Sequence, residues 1–198
     1  WRDKKLIKKL EVNGTDIRGF SPSKRRSLGL CFVPEERNGH SSVISMKLSE
    51  NVLLTSHFMK NSVENGIIND NFLKMESNNI IKDFDVRVPE QNPLASSLSG
   101  GNLQKFVVGR EIIKDPKVLI VSQPTWGVDI GAAKIIREAF IKLLAKGSAI
   151  LLISQDLDEI FSLSDEISVI YSGRLSQSYP ANKIGSKKIG LLMGGANE

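Results

Sequence analysis

VLIVSQPTWGVD, residues 118–129, is the stretch from which the rest of the chain is read. Four apolar residues run up to Ser122 and Gln123, and a proline, a turn and Asp129 follow. A short continuous apolar run between turn signals is the pattern of a strand covered on both faces of a parallel sheet. Downstream, AAKIIREAFIKLLAK (132–146) places Ile136, Ala139, Phe140, Leu143 and Leu144 on one face of a helix. Gly147 stops that helix, and AILLIS (149–154) reads as a second buried strand. Asp156 and Glu159 have the spacing of a capping box for a further short helix. EISVIYSGRLS (166–176) reads as a strand and a turn with a hairpin return. Upstream, Ser99 caps a helix from Gly100 to about Lys114, ended by Asp115-Pro116. LGLCFVPEER (28–37) is a buried strand stopped by Pro34. Strands alternating with helices in this way predict an α/β fold with a parallel sheet and right-handed crossovers.

Between Ser45 and Ser97 the character changes. Ser49 is placed to cap a helix carrying Val52, Leu53 and Leu54. Leu73, Ile80, Ile81 and Phe84 recur at helical spacing, and VRVPEQNP (86–93) is extended or loop. Near the start, LEVNGTDI (10–17) reads as a strand ending in an Asn-Gly turn, and Ser21-Pro22 opens a short helix. The expected organisation is therefore an α/β core over 1–44 and 98–198, with a small helical subdomain inserted at 45–97.

Composition is ordinary for a globular chain: 198 residues, 40% hydrophobic and 25% charged. No apolar run approaches the roughly 18 residues that span a bilayer. No charged-then-apolar leader is visible. Because the chain starts at Trp1 rather than Met, it is expected to be a piece of something longer. Cys31 is the single cysteine, so no internal disulfide can form, which suits a reducing cytoplasm. The net charge of +5 gathers in WRDKKLIKK and in KRR at 24–26. Without interleaved aromatic residues it reads as a solvated basic face, not a single-strand nucleic-acid surface. His40 and His57 have no ligand-like spacing to Cys31 or to each other, so no metal site is expected.

LSGGNLQK, residues 98–105, carries the chemistry. A serine cap and two glycines stand at the entrance of a helix. The amides of Gly100, Gly101 and Asn102 have no partner inside the helix, and the glycines let a ligand approach the backbone. Together with the positive end of the helix dipole they make an anion site, worth roughly 0.3–2 kcal/mol per charge from the dipole alone.

The octapeptide as a whole resembles the signature motif of ATP-binding-cassette ATPases, in the form used by sugar and nucleoside importers. The resemblance covers essentially the whole chain. FVPEER (32–37) is similar to the Q-loop region, with Pro34 and Glu35 at its centre. VLIVSQPT (118–125) occupies the Walker B position, and GVD (127–129) resembles the D-loop, with Gly127 and Asp129. LLISQDLDEI (151–160) lies at the switch-histidine position, and IGLLMGG (189–195) resembles the family's carboxyl end. The implied fold is a P-loop NTPase-like parallel-sheet core, truncated at its N-terminus, with the helical insert. The nearest likeness is to the second half of double cassettes in which two ATPase domains share one chain.

Where the chain departs from a working ATPase, each departure has a chemical meaning. No G-x-x-x-x-G-K-[ST] occurs, so nothing wraps a triphosphate in backbone amides and a lysine. Ser122 stands at the Walker B aspartate and supplies no charge for Mg2+. Gln123 stands at the glutamate that polarises water, and an amide has almost no affinity for a proton. Gln155 stands at the switch histidine, Glu35 at the Q-loop glutamine, and Trp126 at a position usually held by arginine. The catalytic positions Ser122, Gln123 and Gln155 are therefore degenerate, and the chain alone is expected to be inactive.

The resemblance implies that Ser99, Gly100, Gly101, Asn102 and Gln104 contact, in trans, an ATP whose Mg2+ and Walker A belong to an N-terminal nucleotide-binding half. It implies permease subunits received by the helical subdomain and Q-loop region, and indirectly a solute-binding receptor. The implied place is the cytoplasmic face of the bacterial inner membrane, as a peripheral subunit. No nucleic-acid partner is expected. The competing classes are a non-transport cassette protein acting on ribosomes or nucleic acid, and a free-standing interaction module.

Overall fold

The computed structural model describes residues 7–195 in two compact units that divide between Ile153 and Ser154. In the expected basic start, residues 1–6 lie outside the described residues.

The first unit opens with a hairpin, β1 (Glu11–Val12) and β2 (Thr15–Asp16). The strand expected to end in an Asn-Gly turn does so, and the chain pairs back on itself after it. Asn13 and Gly14 both take positive φ, 49° and 74°, as a tight turn of the I′ kind requires. Helix α1 (Pro22–Ser27) begins as expected, with Ser21 accepting from the Lys24 amide and Pro22 in the first turn. Strand β3 (Leu30–Val33) follows.

Helix α2 (Leu48–Ser56) starts one residue before Ser49. Glu50 takes the Lys47 amide at 2.6 Å, and Ser49 instead accepts from the Asn92 side chain. Ser49 is therefore a buried helix residue, not the expected cap. A small hairpin, β4 (Val63–Glu64) and β5 (Ile67–Ile68), leads into α3 (Asp70–Asp83), capped by Asn69. Helices α2 and α3 pack together, and α3 packs on α4 (Gly100–Ile112). A 3-10 turn over Ala95–Ser97 precedes α4. Strand β6 (Val118–Ser122), helix α5 (Ile130–Ala145) and strand β7 (Ala149–Ile153) complete the unit.

The sheet is parallel, in the order β3-β6-β7, with Cys31 beside Leu119 and Ile150, and Phe32 beside Ile120 and Leu151. Side chains alternate across it. Cys31, Val33, Leu119 and Val121 point to one face and are at most 2% exposed. Phe106, Val107, Ile136 and Phe140 from α4 and α5 are buried with them in this unit. The opposite face carries Phe32, Leu151 and Ile153, which are 44%, 56% and 47% exposed. The apolar runs of β6 and β7 thus do not mean burial on both sides here: this face keeps large apolar side chains exposed.

The second unit begins at Ser154. Asp156 caps α6 (Leu157–Leu163) by accepting the Asp158 and Glu159 amides. Strand β8 (Glu166–Ile167) pairs antiparallel with β11 (Tyr179–Pro180), and β9 (Ile170–Tyr171) pairs with β10 (Arg174–Leu175). Helix α7 (Ser186–Met193) closes a core of Ile167, Val169, Ile184, Ile189 and Leu192. Among the described residues no helix is long and apolar enough to cross a membrane.

Candidate functional site

The N-terminus of α4 is built by Ser99. Its backbone is extended, and its hydroxyl oxygen accepts from the Asn102 amide at 3.4 Å and the Asn102 side-chain amide at 3.0 Å. With both bonds accepted, the hydroxyl proton is left to donate outward. Asn102 is committed locally, since its carbonyl oxygen also accepts from the Arg87 amide at 3.0 Å. That leaves the N–H groups of Gly100 and Gly101, which lie in the first turn and have no acceptor within the helix.

Gln104 is corrected by the geometry. It is 1% exposed and points inward, donating to the Pro124 carbonyl at 3.0 Å and accepting from Arg37 Nε at 3.1 Å. It ties α4 to the turn after β6 and cannot face a ligand beside Ser99. Lys105 is likewise buried, its ammonium on the Asp85 carbonyl at the end of α3.

Arg37 is the residue that the sequence did not single out. Its guanidinium lies 2.9 Å from where a Cβ on Gly100 would stand and 3.5 Å from where one on Gly127 would stand. It therefore adds a fixed positive charge to the helix entrance. Burial pushes its pKa below the usual arginine range. The signal was present in FVPEER, whose arginine ends an otherwise acidic segment, but nothing local shows that it reaches across to α4.

Asp129 caps α5, accepting the Ala132 amide at 2.9 Å. That bond is the leading reason its carboxyl lies below the ordinary range. Its Oδ2 lies 3.4 Å from the position a Cβ on Gly101 would take. The signature and D-loop stretches, 22 residues apart at their nearest ends, thus meet at the N-termini of two helices. Gly127 has φ of 62°, in the left-handed region that favours glycine. Trp126 beside it is 65% exposed.

Strand β6 ends in Ser122, half-buried, and Gln123, 7% exposed with φ of 50°. The Gln123 amide donates to the Ile153 carbonyl at 2.8 Å. Neither side chain carries negative charge, so this strand end does not fit Mg2+. The donor set at α4 does fit a phosphate: two open amides, a hydroxyl and Arg37. Pro34 and Glu35 follow β3, the glutamate exposed. Gln155 is exposed and lies in the second unit. Of the lone histidines, His40 meets Glu36 at 2.8 Å, and His57 Nε2 meets the Ser23 hydroxyl at 2.9 Å.

No protein-family model matches the chain. Among curated proteins, the guanosine import ATP-binding protein NupO of Bacillus subtilis is 35% identical over 189 residues, covering 96% of this chain and 37% of that protein. The nucleoside import ATP-binding protein NupA of Lactococcus lactis is 35% identical over 95% of this chain and 37% of its own length. The glucose import ATP-binding protein TsgD13 of Haloferax volcanii is 36% identical over 96% and 35%. The chain thus spans little more than a third of the length of the curated relatives it matches. Among solved structures, a dimeric ATP-binding cassette in a post-hydrolysis state with ADP and Pi superposes with a TM-score of 0.71 at 17% identity, over 86% of this chain and 72% of that one. An ATP-binding subunit of an ABC transporter gives 0.72 at 16%, over 94% and 76%. The parallel sheet, the signature helix and these comparisons agree: the chain has the P-loop α/β fold of the ATP-binding-cassette ATPases, and almost its whole length is similar to a part of ATP-binding proteins named for nucleoside and sugar import.

Proposed function

We propose that the chain is the C-terminal nucleotide-binding half of a double-cassette importer, and that it offers its signature helix to an ATP held by the N-terminal half. The observation that carries this reading is the pairing of an intact anion site with a disarmed strand. Gly100 and Gly101 present open amides, Ser99 a free hydroxyl proton and Arg37 a guanidinium, all at one helix entrance. Ser122 and Gln123 at the end of β6 offer no carboxylate.

In this reading the residues of the chain bind and orient. The Gly100 and Gly101 amides and the Ser99 hydroxyl receive a terminal phosphate, and Arg37 neutralises charge gathering there. Asp129 holds α5 against the seam between the halves. The acids that hold Mg2+ and polarise water come from the other half, so β6 serves as scaffold. Residues 45–97 form the subdomain that, with the segment around Pro34 and Glu35, receives a permease helix, between core portions 1–44 and 98–198. The protein then works as a peripheral subunit at the cytoplasmic face of the membrane, with a solute receptor acting through the permease. The relatives named for guanosine, nucleoside and glucose import support nucleosides or simple sugars as cargo.

The test uses Gly101. A Cβ there meets only ordinary contacts, at 3.4 Å to Asp129 Oδ2 and 3.9 Å to Val128 Cβ, so alanine is accommodated. Aspartate adds a second carboxylate beside Asp129 and in front of the phosphate. In the two-half protein, Gly101→Asp lowers kcat at least about 100-fold, the scale of losing an oxyanion donor, with an unchanged circular dichroism spectrum. Unimpaired turnover in that variant, or steady hydrolysis by this chain alone, refutes the reading.

A further inference from the structure

A cavity of about 380 Å³ opens in the first unit between the β1–β2 turn, the end of α1 and the end of α4, lined by residues none of which belongs to the signature site. Its walls are of two kinds. Leu28, Phe58 and Met59 are apolar. Arg26, Lys114 and Lys117 are cationic.

Among the described residues the cations outnumber the carboxylates that meet them. Glu111 is wholly buried and, among the described residues, is the only carboxylate bonded to both Arg26 and Lys114. It accepts from Arg26 Nη1 at 2.6 Å, from Lys114 Nζ at 2.9 Å and from Arg110 Nε at 3.1 Å. One acid thus answers three cations. Asp115 also lines the cavity, but Lys146 holds it at 2.6 Å. Arg26 has a single bonded nitrogen, leaving Nε and Nη2 with donors to spare. Lys117 is exposed, and no ion pair joins it to a carboxylate among the described residues. Its stem lies across Gly29, where a Cβ would come within 3.0 Å of Lys117 Cγ, so the glycine is what lets the lysine reach the cavity. Burial pushes Lys114 down to about 8, with Glu111 pulling the other way, and its ammonium donates to Thr55 Oγ1 as well as to Glu111.

We propose that this cavity is a binding site for a small organic anion, a phosphate or carboxylate on an apolar or planar body. The anionic group pairs with Arg26, Lys114 and Lys117, and the body rests on Phe58 and Met59. The volume lies in the range of small-molecule sites, and a few convergent polar groups on an apolar wall are their usual composition. The inference is independent of the proposed role of the signature helix.

Phenyl phosphate, inorganic phosphate and phenol serve as probes, titrated calorimetrically into the chain at fixed ionic strength. Phenyl phosphate binds saturably at one site, at least about tenfold tighter than inorganic phosphate, and phenol shows no saturable binding. Lys117→Glu, at an exposed position that leaves the fold intact, weakens phenyl phosphate at least tenfold. Gly101→Asp leaves it unchanged, which separates this cavity from the entrance of α4. Bound phenyl phosphate also slows reductive methylation of Lys114, read by mass spectrometry. The proposal is overturned by an absence of saturable binding, by equal affinity in Lys117→Glu, or by binding that Gly101→Asp abolishes.

Discussion

Replacing Glu111 by Gln removes one formal charge from the middle of the first unit and nothing else of comparable size. In the parent, the Glu111 carboxylate lies at 0% exposure with Arg26, Lys114 and Arg110 around it. Arg110 spends its other nitrogens on the Asn51 and Ser41 carbonyls, which orient it but cannot neutralise it. The amide therefore leaves three crowded cations uncompensated. Breaking a buried ion pair in this way costs about 3–5 kcal/mol. For a chain of this length that is a fall in Tm of roughly 6–20 °C. The pH dependence gives an independent check. Burial by itself raises the Glu111 pKa; Lys114, Arg110 and Arg26 more than offset it and hold it at about 2, against 4.5 for the unperturbed group. A depressed folded value means that the contribution is fully present above pH 4.5 and is lost as pH falls toward 2. At 1.36 kcal/mol per unit the contribution is about 3 kcal/mol, at the lower end of the mutational range. Urea denaturation of parent and E111Q between pH 2 and 7 measures both. E111Q is less stable at pH 7 and loses less on acidification. A difference below about 1 kcal/mol at pH 7, or parallel acid limbs, refutes the claim that this carboxylate holds the network together.

Gly109→Ala places a Cβ 2.7 Å from Phe84 Cδ2 and 2.8 Å from Ile80 Cγ2, both buried side chains. Thermal melts show it destabilised by about 1–3 kcal/mol, despite alanine's better helix propensity. Cys31 is 2% exposed, and burial pushes its thiol up to about 11. At pH 8 its thiolate is roughly 100-fold scarcer than that of an ordinary cysteine. Disulfide-exchange labelling is slower by at least that factor, and restored to the ordinary rate in denaturant. Trp126, at 65% exposure, emits at the red-shifted wavelength of a solvated indole in a Trp1→Phe background. ATP-dependent pairing with the other half shifts that emission to the blue, and an unmoved spectrum in a pair that hydrolyses ATP argues against burial of Trp126 at the seam.

The sequence was a good guide wherever the decisive interaction is local. Ser99 and Ser21 cap their helices because a short hydroxyl reaches an amide three residues on, whatever surrounds it. The periodicity of α5 and the apolar run of β6 are visible for the same reason. What escaped the reading depends on partners distant in the chain. An arginine and a glutamate at 110 and 111 look like the wet side of a helix. They are buried because Asn51, Ser41 and Arg26 come from elsewhere to meet them. Gln104 reads as a polar residue at a ligand-facing entrance, yet Pro124 and Arg37 draw it inward. Ser49 yields its capping position to Lys47 because Asn92, 43 residues away, takes the serine. The α/β class and the Ser99 cap of α4 were therefore legible, and the approach of Arg37 to that helix entrance was not.

The bare side of the three-stranded sheet sets a condition on handling the chain. Phe32 on β3 and Leu151 and Ile153 on β7 flank β6 on one face, with Ile120 in register between Phe32 and Leu151, so their exposure forms one apolar patch, not three scattered contacts. Two molecules that meet plane to plane gain by expelling water, and the frequency of such meetings rises with the square of concentration. The shelf life of a solution of this chain is thus governed by dilution more than by the stability of its fold, and a fluorescent apolar dye would light up on the fully folded molecule.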